Sequence, residues 1–167
     1  MKLLAVLSLV LAFQSITFAQ EPEWFQKVKQ LRLLSSTYED AVRILGTPSD
    51  GTSERELSEY FDLKEGRVFV AFENGKCVIS SLSGKPTGWL VPAWTVVTVG
   101  FEPAVPMTKK DLPFKIKGFR KYESSDVRGA FSYENERDGL SFFVKRNGNI
   151  EDVSFNPPSS MDHLLCK

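Results

Sequence analysis

Few residues in this chain could perform catalysis, and their spacing forms no recognisable catalytic set. The one histidine, His163, lies close to the C-terminus, beyond Pro157-Pro158. A Ser/His/Asp or Cys/His device needs a histidine that packing and a third group hold in place, and a chain terminus is a poor position for one. We therefore predict no catalytic residue at His163. We also predict no metal site, because one histidine without a cysteine cluster would leave zinc with carboxylate ligands alone.

Carboxylates are the remaining route to acid–base chemistry. They are densest in three stretches: Glu54/Glu56, Glu134/Glu136/Asp138 and Glu151/Asp152. Each stretch lies in a predicted turn or exposed strand and alternates with arginine or serine, as a solvated face does. A catalytic acid needs a dry pocket that shifts its pKa, so we interpret these acids as surface. The chain also lacks calcium-loop spacing, phosphate-binding glycine loops, Gly-x-Ser-x-Gly and Cys-x-x-Cys, and we predict no cofactor.

Two cysteines, Cys77 and Cys166, leave two interpretations open. In an oxidising compartment they could form a disulfide that ties the C-terminal tail to the middle of the chain. Alternatively, Cys77 is a small buried apolar residue and Cys166 is free in a frayed tail. Spacing alone does not decide between them, because a disulfide requires close approach of the two Cα atoms.

Trp89, Pro92 and Trp94 lie where a loop enters a predicted strand. Tryptophan on a loop can anchor a protein interface, so this segment is a candidate interaction patch. The alternative is that both indoles cover the open end of the core, where each would bury a large apolar area.

The N-terminus has the pattern of an export signal. Lys2 precedes an apolar stretch from Leu3 to Phe13, and the small residue Ala19 ends the segment. This pattern predicts a signal peptide over residues 1–19, cleaved between Ala19 and Gln20, although a retained anchor or buried helix is the alternative. No cysteine follows to carry a lipid anchor and no second long apolar run follows to span a membrane, so we predict a secreted or periplasmic protein.

The composition is that of one balanced globular domain. The chain has 21 Lys and Arg against 21 Asp and Glu, so no basic surplus indicates nucleic acid as a partner. We predict one domain over residues 20–158, with halves at 20–103 and 107–158, and a C-terminal tail over 159–167.

Two helices are predicted ahead of the strands. Pro22 opens the first, whose apolar stripe is Trp24, Val28 and Leu31. Ser36 and Glu39 have capping-box spacing for the second. Its apolar stripe is Tyr38, Ala41, Val42 and Leu45, and it ends at Gly46 before Pro48.

Two Asn-Gly dipeptides, Asn74-Gly75 and Asn147-Gly148, each separate runs of strand-forming residues. This sequence is typical of a two-residue type I′ hairpin turn, in which both central residues have positive φ. We predict one hairpin over about Val68 to Ser80, with Val68, Val70, Phe72 and Ile79 on its core face. A second hairpin is predicted over Leu140 to Phe155, and further strands over Leu57–Leu63, Trp94–Phe101 and Gly129–Tyr133.

The predicted fold is therefore α+β: two N-terminal helices packed on an antiparallel sheet, with a second hairpin-rich half. The two Asn-Gly turns occupy corresponding positions in the two halves of the chain. The halves are therefore either a tandem helix-sheet repeat or two hairpins that share only the chemistry of their turns. The core faces of the two hairpins differ in phase, and a one-residue slip moves every side chain to the other face.

One segment carries a family resemblance. Thr37, Ala41, Leu45, Gly46 and Pro48, with the predicted hairpin from Val68 to Ile79, resemble the small lipoprotein of the bacterial outer-membrane β-barrel assembly machinery over about residues 30–85. β-Lactamase-inhibitor protein has a similar helix-helix-sheet unit, twice in tandem. The whole chain is most similar to uncharacterised secreted bacterial proteins with a Gly-Trp-x-Val-Pro stretch, here Gly88 to Pro92. The lipid-bearing cysteine of the lipoprotein family is missing.

These observations favour an exported, non-enzymatic binding module with a protein partner, acting through one sheet face or through the Trp89–Trp94 loop. A protein inhibitor of an exported hydrolase is the first alternative, which the resemblance to a tandem inhibitor suggests. A carboxylate-based hydrolase is the second. That hydrolase would require a cleft in which acids such as Glu134, Glu136 and Asp138 converge.

Overall fold

The computed structural model describes residues 21–49 and 57–167. The predicted signal peptide, its cleavage site at Ala19 and Gln20, and the acids Glu54 and Glu56 lie outside these residues. Within the described ranges, none of the helices has both the length and the apolar character needed to cross a membrane.

The chain is mixed α+β, as predicted. The two α-helices among the described residues are α1 (Glu23–Val28) and α2 (Tyr38–Leu45). Its strands are β1 (Ser58–Leu63), β2 (Gly66–Phe72), β3 (Val78–Ile79), β4 (Pro86–Thr87), β5 (Val96–Pro103), β6 (Arg120–Glu123), β7 (Phe131–Asn135), β8 (Leu140–Val144) and β9 (Ile150–Phe155). A 3₁₀-helix, Ser159–Leu164, follows β9.

Seven strands form one antiparallel sheet in the order β1-β2-β5-β9-β8-β7-β6, and β3 pairs with β4 in a separate two-stranded sheet. β5 and β9 join the two halves of the large sheet, with Val99 opposite Phe155 and Phe101 opposite Val153. Both halves therefore contribute to one continuous core rather than to two.

Helix α1 packs across the centre of the sheet through its predicted apolar stripe. Trp24, Val28 and Leu31 are all buried, and the Trp24 ring stacks on Phe101 with 4.0 Å between ring centroids. The carboxylate of Glu65, in the turn between β1 and β2, accepts a hydrogen bond from the Trp24 backbone N–H at 2.7 Å. An anionic acceptor at a helix N-terminus is favourable, because the first amides have no partner within the helix.

Helix α2 has the predicted apolar stripe, but its cap lies one residue later than predicted. Thr37, not Ser36, is the N-cap: its hydroxyl accepts from the Asp40 backbone N–H, and the Asp40 carboxylate accepts from the Thr37 N–H. Ser36 is used elsewhere, because its hydroxyl accepts from the Arg32 backbone N–H and its carbonyl accepts from Val96 N–H. These hydrogen bonds close the turn before α2 and fix it to β5.

In the second half, a loop rather than a helix covers the same face of the sheet. Within residues 107–158 the structure contains no α-helix: Met107 forms an isolated antiparallel bridge with Ile150, and a turn then leads to Leu112 and Phe114. Phe114 and Phe119 pack on Phe142, which stacks on Tyr133 with 4.7 Å between ring centroids. The helix-sheet unit is not repeated there.

The hairpin at Asn147-Gly148 is confirmed, although its turn type differs from the prediction. β8 and β9 pair from Leu140 opposite Phe155 to Val144 opposite Ile150. Gly148 has φ +86°, but Asn147 has no positive φ, so a type I′ turn is not formed. The Gly148 N–H instead donates to Lys145 O and the Lys145 N–H to Asn149 O, which is a three-residue loop with glycine in the left-handed position.

The hairpin at Asn74-Gly75 was wrongly predicted. β2 pairs with β1 through the tight turn at Lys64-Glu65 on one edge and with β5 on the other, so β3 has no free edge of β2 to pair with. β3 turns away and pairs with β4 instead. Ile79, predicted on the core face, is consequently 68% exposed, whereas Val68, Val70 and Phe72 are buried as expected.

Candidate functional site

The segment between β2 and β5 forms a small lobe to which the C-terminal residues are bonded. We name it the linked lobe: residues 73–94 together with residues 164–166. Its covalent link is a disulfide between Cys77 and Cys166, whose Cα atoms are 5.7 Å apart. This distance is ordinary for a disulfide, and the bond joins residues separated by 89 positions in the sequence.

The carboxylate of Glu73 organises the base of the lobe. It is only 7% exposed and accepts hydrogen bonds from the Asn74 backbone N–H at 2.9 Å and from the Trp89 N–H at 2.8 Å. Its own backbone exchanges hydrogen bonds with Trp94 and Thr95 at the start of β5. A buried charge requires such partners. The sequence gives a weak signal for this role, namely an acid directly after the apolar run of β2.

The C-terminal residues form part of this lobe, so of the two alternatives left open by the sequence the disulfide is found and the frayed tail is not. Leu90 N–H donates to Leu164 O at 2.7 Å, and Cys166 N–H donates to Gly88 O at 3.1 Å. Trp89 and Leu165 form an antiparallel bridge between these two bonds. Backbone hydrogen bonds and the disulfide therefore fix the end of the chain against the 88–90 segment.

Exposed apolar side chains are concentrated on this lobe. Among the described residues, the lobe contains five large apolar side chains that are exposed: Val78, Ile79, Leu82, Leu90 and Leu165. Leu82 is 99% exposed at the tip of the β3–β4 turn, where Ser80 N–H donates to Lys85 O and Gly84 N–H to Ser80 O. A leucine with no packing at the end of a closed turn is costly in water unless something covers it.

The three residues of the predicted interaction patch have different positions. Trp94 is half-buried at the edge of the core, with its ring 6.1 Å from Tyr38 and 6.5 Å from Phe72 between centroids. Its φ is +66°, a conformation that non-glycine residues adopt infrequently. Trp89 is half-buried beside the C-terminus, and Pro92 is exposed. The apolar surface of the lobe is centred on its aliphatic side chains rather than on these indoles.

The sheet face opposite the helices is the other predicted binding surface. One row of strand partners crosses all seven strands: Tyr60, Phe69, Gly100, Ser154, Ser141, Glu134 and Arg120. The centre of this row consists of small and polar residues. At the β1 edge of the row, the aromatic side chain of Tyr60 is 40% exposed. This face therefore presents less exposed aliphatic surface than the linked lobe.

The acids of the second half line an open groove rather than a dry pocket. A groove of about 430 Å³ lies between β7–β8 and the 3₁₀-helix, and its lining includes Glu134, Glu136 and Asp162. Glu136 and Asp162 are exposed and Glu134 is half-buried. Asp138 accepts from Asn135 Nδ2 at 2.8 Å outside this groove. These carboxylates lack the burial that prepares a general acid.

Asp152 is the acid with a raised pKa. Burial on β9 is the main cause, the neighbouring charge of Glu151 adds to it, and a hydrogen bond from the Ser154 hydroxyl opposes it. Glu151 itself is exposed and paired with Lys145 at 3.2 Å. Asp152 lies on β9 opposite Phe143, and we assign its raised pKa chiefly to burial.

His163 lies in the 3₁₀-helix, exposed, with Nδ1 3.1 Å from the Ser160 carbonyl oxygen. Across residues 21–49 and 57–167 there is no group of three or more His, Cys, Asp or Glu side chains arranged to hold a metal ion.

Comparisons with known proteins give one distant structural neighbour. No family model matches the sequence, and no curated protein matches it. The fold is similar to the crystal structure of a DUF4309 family protein from Bacillus subtilis, with a TM-score of 0.47 and 10% sequence identity. The match covers 78% of this chain and 84% of that one. The resemblances to the assembly-machinery lipoprotein and to β-lactamase-inhibitor protein stay predictions.

Proposed function

We propose that this protein is an exported, non-enzymatic binding module that docks a protein partner through the linked lobe. The observation that carries the proposal is the near-complete exposure of Leu82 at the tip of a loop whose base is fixed by a disulfide. Ile79, 68% exposed, and Leu90, 58% exposed, extend the apolar surface. The partner surface that fits such side chains is an apolar groove.

Burial of these side chains would supply binding free energy. Covering one exposed leucine or isoleucine is worth roughly 1.5–3 kcal/mol, and a few such anchors dominate most protein interfaces. Apolar side chains scattered singly over a surface need no explanation, but several on one projecting loop indicate an interaction site.

The covalent frame of the lobe supports the same proposal. A flexible loop loses conformational freedom when it binds, at about 0.5–1.5 kcal/mol per immobilised side chain. The Cys77–Cys166 bond and the Glu73 hydrogen bonds hold the base of this loop before any partner arrives. Much of the ordering is therefore complete in the free protein.

Export is the part of the proposal that rests on the N-terminal sequence together with the disulfide. Disulfides persist in secreted and periplasmic proteins and are rare in a reducing cytosol. The pattern over residues 1–19 and the Cys77–Cys166 bond are thus mutually consistent. Fractionation of cells that express the protein, with N-terminal sequencing of the mature chain, tests whether it begins at Gln20.

Charge substitution on the lobe tests the binding role. Leu82→Asp and Ile79→Asp place charges where an apolar groove would have to bury them, so each variant should lose a partner that co-purifies with the wild type after crosslinking in the native envelope. Val105→Asp is the matched control, since Val105 is 67% exposed outside the lobe. Equal recovery of the same partner by all four proteins contradicts the proposal.

A protein inhibitor of an exported hydrolase is a second candidate, and the same loop favours it. Tight protease inhibitors insert a pre-ordered projecting loop into an active site. Under this alternative Leu82 would occupy a specificity pocket. A panel of exported serine hydrolases assayed with the purified protein tests it, and inhibition that Leu82→Asp abolishes would favour it over a non-inhibitory role.

A carboxylate-based hydrolase has less support. Its requirement is a closed cleft with one desolvated acid, and the groove that contains Glu134 and Glu136 is open. Glu134→Gln and Glu136→Gln would abolish any hydrolysis that depends on these acids, whereas binding through the lobe would be unchanged.

A further inference from the structure

Cations outnumber acids in one segment of the second half of the molecule, beside β6 and β7. The segment from residue 109 to residue 121 contains Lys109, Lys110, Lys115, Lys117, Arg120 and Lys121 against one acid, Asp111. Asp111 is engaged by the Thr108 backbone and hydroxyl, which lower its pKa together with Lys110. These contacts favour the ionised carboxylate, so Asp111 offsets one of the six cations and the segment stays strongly positive.

Two of these lysines contact aromatic side chains of β7. Lys109 Nζ donates to the Tyr133 hydroxyl at 3.2 Å and lies 5.0 Å from its ring centroid, and Lys121 Nζ lies 3.5 Å from the centroid of Phe131. Neither a hydroxyl acceptor nor an aromatic face neutralises the charge of an ammonium group. None of the ion pairs among the described residues includes Lys109 or Lys121.

Two arginines continue the positive surface at the turns that end β6 and β8. Arg128 and Arg146 line one open groove of about 440 Å³ with Gly129 between them. Gly129 has φ +80°, and a Cβ there would lie 3.5 Å from Arg146 Cγ. The Arg146 stem therefore lies beside the Gly129 backbone, and both arginines line the same groove.

Neither arginine forms an ion pair with a described acid. No carboxylate lines the groove. Of the acids on the surrounding elements, Glu151 pairs with Lys145, Asp126 accepts from the neutral Ser125 hydroxyl, and Glu123 lies opposite Phe131. The two guanidinium groups can therefore contact an external anion.

The cations follow one direction along the sheet. Gly129 precedes Tyr133 by four residues, which is about 13 Å of extended chain, so the arginine groove and the two lysines that contact β7 lie within reach of successive charges on one ligand. We name Lys109, Lys121, Arg128 and Arg146 the basic strip. A carboxylate has two oxygens, and one arginine can hydrogen-bond to both of them in a bidentate pair. A phosphate has more oxygens, so two guanidinium groups suit a phosphate better than a carboxylate.

We propose that the basic strip binds a phosphate-rich linear polyanion, with Arg128 and Arg146 holding one phosphate and the lysines holding its neighbours. This function is separate from docking through the linked lobe. The strip lies beside Ile150 of β9, whereas the lobe lies beside the start of β5, which pairs with the other end of β9 at Phe155. One molecule could thus hold a polyanion at one end and a protein at the other.

Binding of labelled inorganic polyphosphate to the purified, disulfide-intact protein tests the proposal. We expect Arg128→Gln/Arg146→Gln to weaken binding by about 10-fold or more, and the slope of log affinity against log salt to decrease by about 1.5. The matched control is Lys64→Gln/Lys76→Gln, which removes two exposed cations elsewhere and should leave both values near wild type. Thermal unfolding of each variant verifies that the fold is retained.

Three results would overturn the proposal. Equal weakening by the control variant would show diffuse charge attraction rather than a site. Inorganic phosphate that displaces the polymer at the same phosphate concentration would show a single-phosphate site. Binding to phosphatidylglycerol vesicles without binding to polyphosphate would show a lipid surface. Leu82→Asp should leave polyphosphate binding unchanged, so failure of this proposal is distinguishable from failure of the lobe proposal.

Discussion

Asn74-Gly75 and Asn147-Gly148 have the same two residues and the same local hydrogen bond, yet the chain takes a different path after each of them. In both, the asparagine Oδ1 accepts from the backbone N–H two residues later: Lys76 at 2.7 Å and Asn149 at 3.0 Å. After Asn147 the chain returns along β8 as β9. After Asn74 it departs from the sheet and builds the linked lobe.

The difference lies in which strand takes the second edge. β8 pairs with β7 on one edge and with β9 on the other, and β9 immediately follows the Asn147-Gly148 turn. β2 pairs with β1 on one edge, but its other edge pairs with β5, which enters the sheet only after the lobe. Turn chemistry thus permits a hairpin, and pairing of the same edge with a later strand prevents one at Asn74-Gly75.

The largest expected effect concerns the bond that holds the Asn74 segment outside the sheet. We predict that Cys77→Ser/Cys166→Ser lowers the free energy of unfolding by about 3–5 kcal/mol, because the disulfide closes a long loop in the unfolded chain. Denaturant unfolding measures this loss. Reductant should destabilise the wild type similarly and leave the double variant unchanged. A wild type insensitive to reductant would contradict the bond.

The two glycines provide a matched pair for the comparison itself. Gly75→Ala should cost about 2–3 kcal/mol and Gly148→Ala about 1–2 kcal/mol, since both need positive φ but only one is crowded. A Cβ at Gly75 would lie 2.8 Å from Ala93 N, whereas a Cβ at Gly148 meets nothing within 4 Å. Thermal or denaturant unfolding ranks the two, and equal losses would show that Gly75 is not packed against the start of β5.

Glu73 is the next test, because no counterpart of it exists at the second turn. Glu73→Gln should destabilise the protein by about 1–2 kcal/mol, since one acceptor of a backbone N–H becomes a donor inside a buried site. Glu136→Gln, at an exposed position in the second half, is the control and should change stability very little. Faster hydrogen exchange at the Trp89 amide would locate the loss in the lobe.

The smallest effect is electrostatic and lies on β9. The pKa of Asp152 is raised above the ordinary 3.8, chiefly by burial, so the folded chain binds this proton more tightly than the unfolded chain does. Stability from this group therefore decreases as pH rises from 3.8 through the raised pKa. Asp152→Asn should unfold at a slightly higher temperature than wild type at neutral pH, and the difference should vanish on acidification. A variant less stable at neutral pH would contradict this sign.

The parts of the fold that local chemistry determines could be predicted from the sequence. The apolar stripes of α1 and α2 and the alternation of Phe142, Val144 and Val153 follow from residue periodicity, and all of them face the core. The capping box was misplaced by one residue because the Ser36 hydroxyl bonds to the preceding turn instead. The Ser36 carbonyl also accepts from Val96 N–H at the start of β5, a long-range contact that local patterns do not contain.

The candidate site depended on long-range contacts and was largely beyond prediction. Cys77 and Cys166 were identifiable as a pair, but the Glu73 hydrogen bonds and the seating of residues 164–166 require the folded chain. β6 was missed because its residues, Arg120 to Glu123, are all exposed on an edge and have no apolar alternation. Polar edge strands are expected to lack that signal.

The most direct test of the binding role is a photo-crosslinking residue placed at Leu82 and, in a separate protein, at Val105, both expressed in the native envelope. These positions are similarly open to solvent, but only Leu82 belongs to the linked lobe. We predict one discrete adduct from position 82 that is absent from position 105 and is lost when Ile79→Asp is added. Identical adducts from both positions, or none from position 82, would contradict the assignment of the lobe as the docking surface.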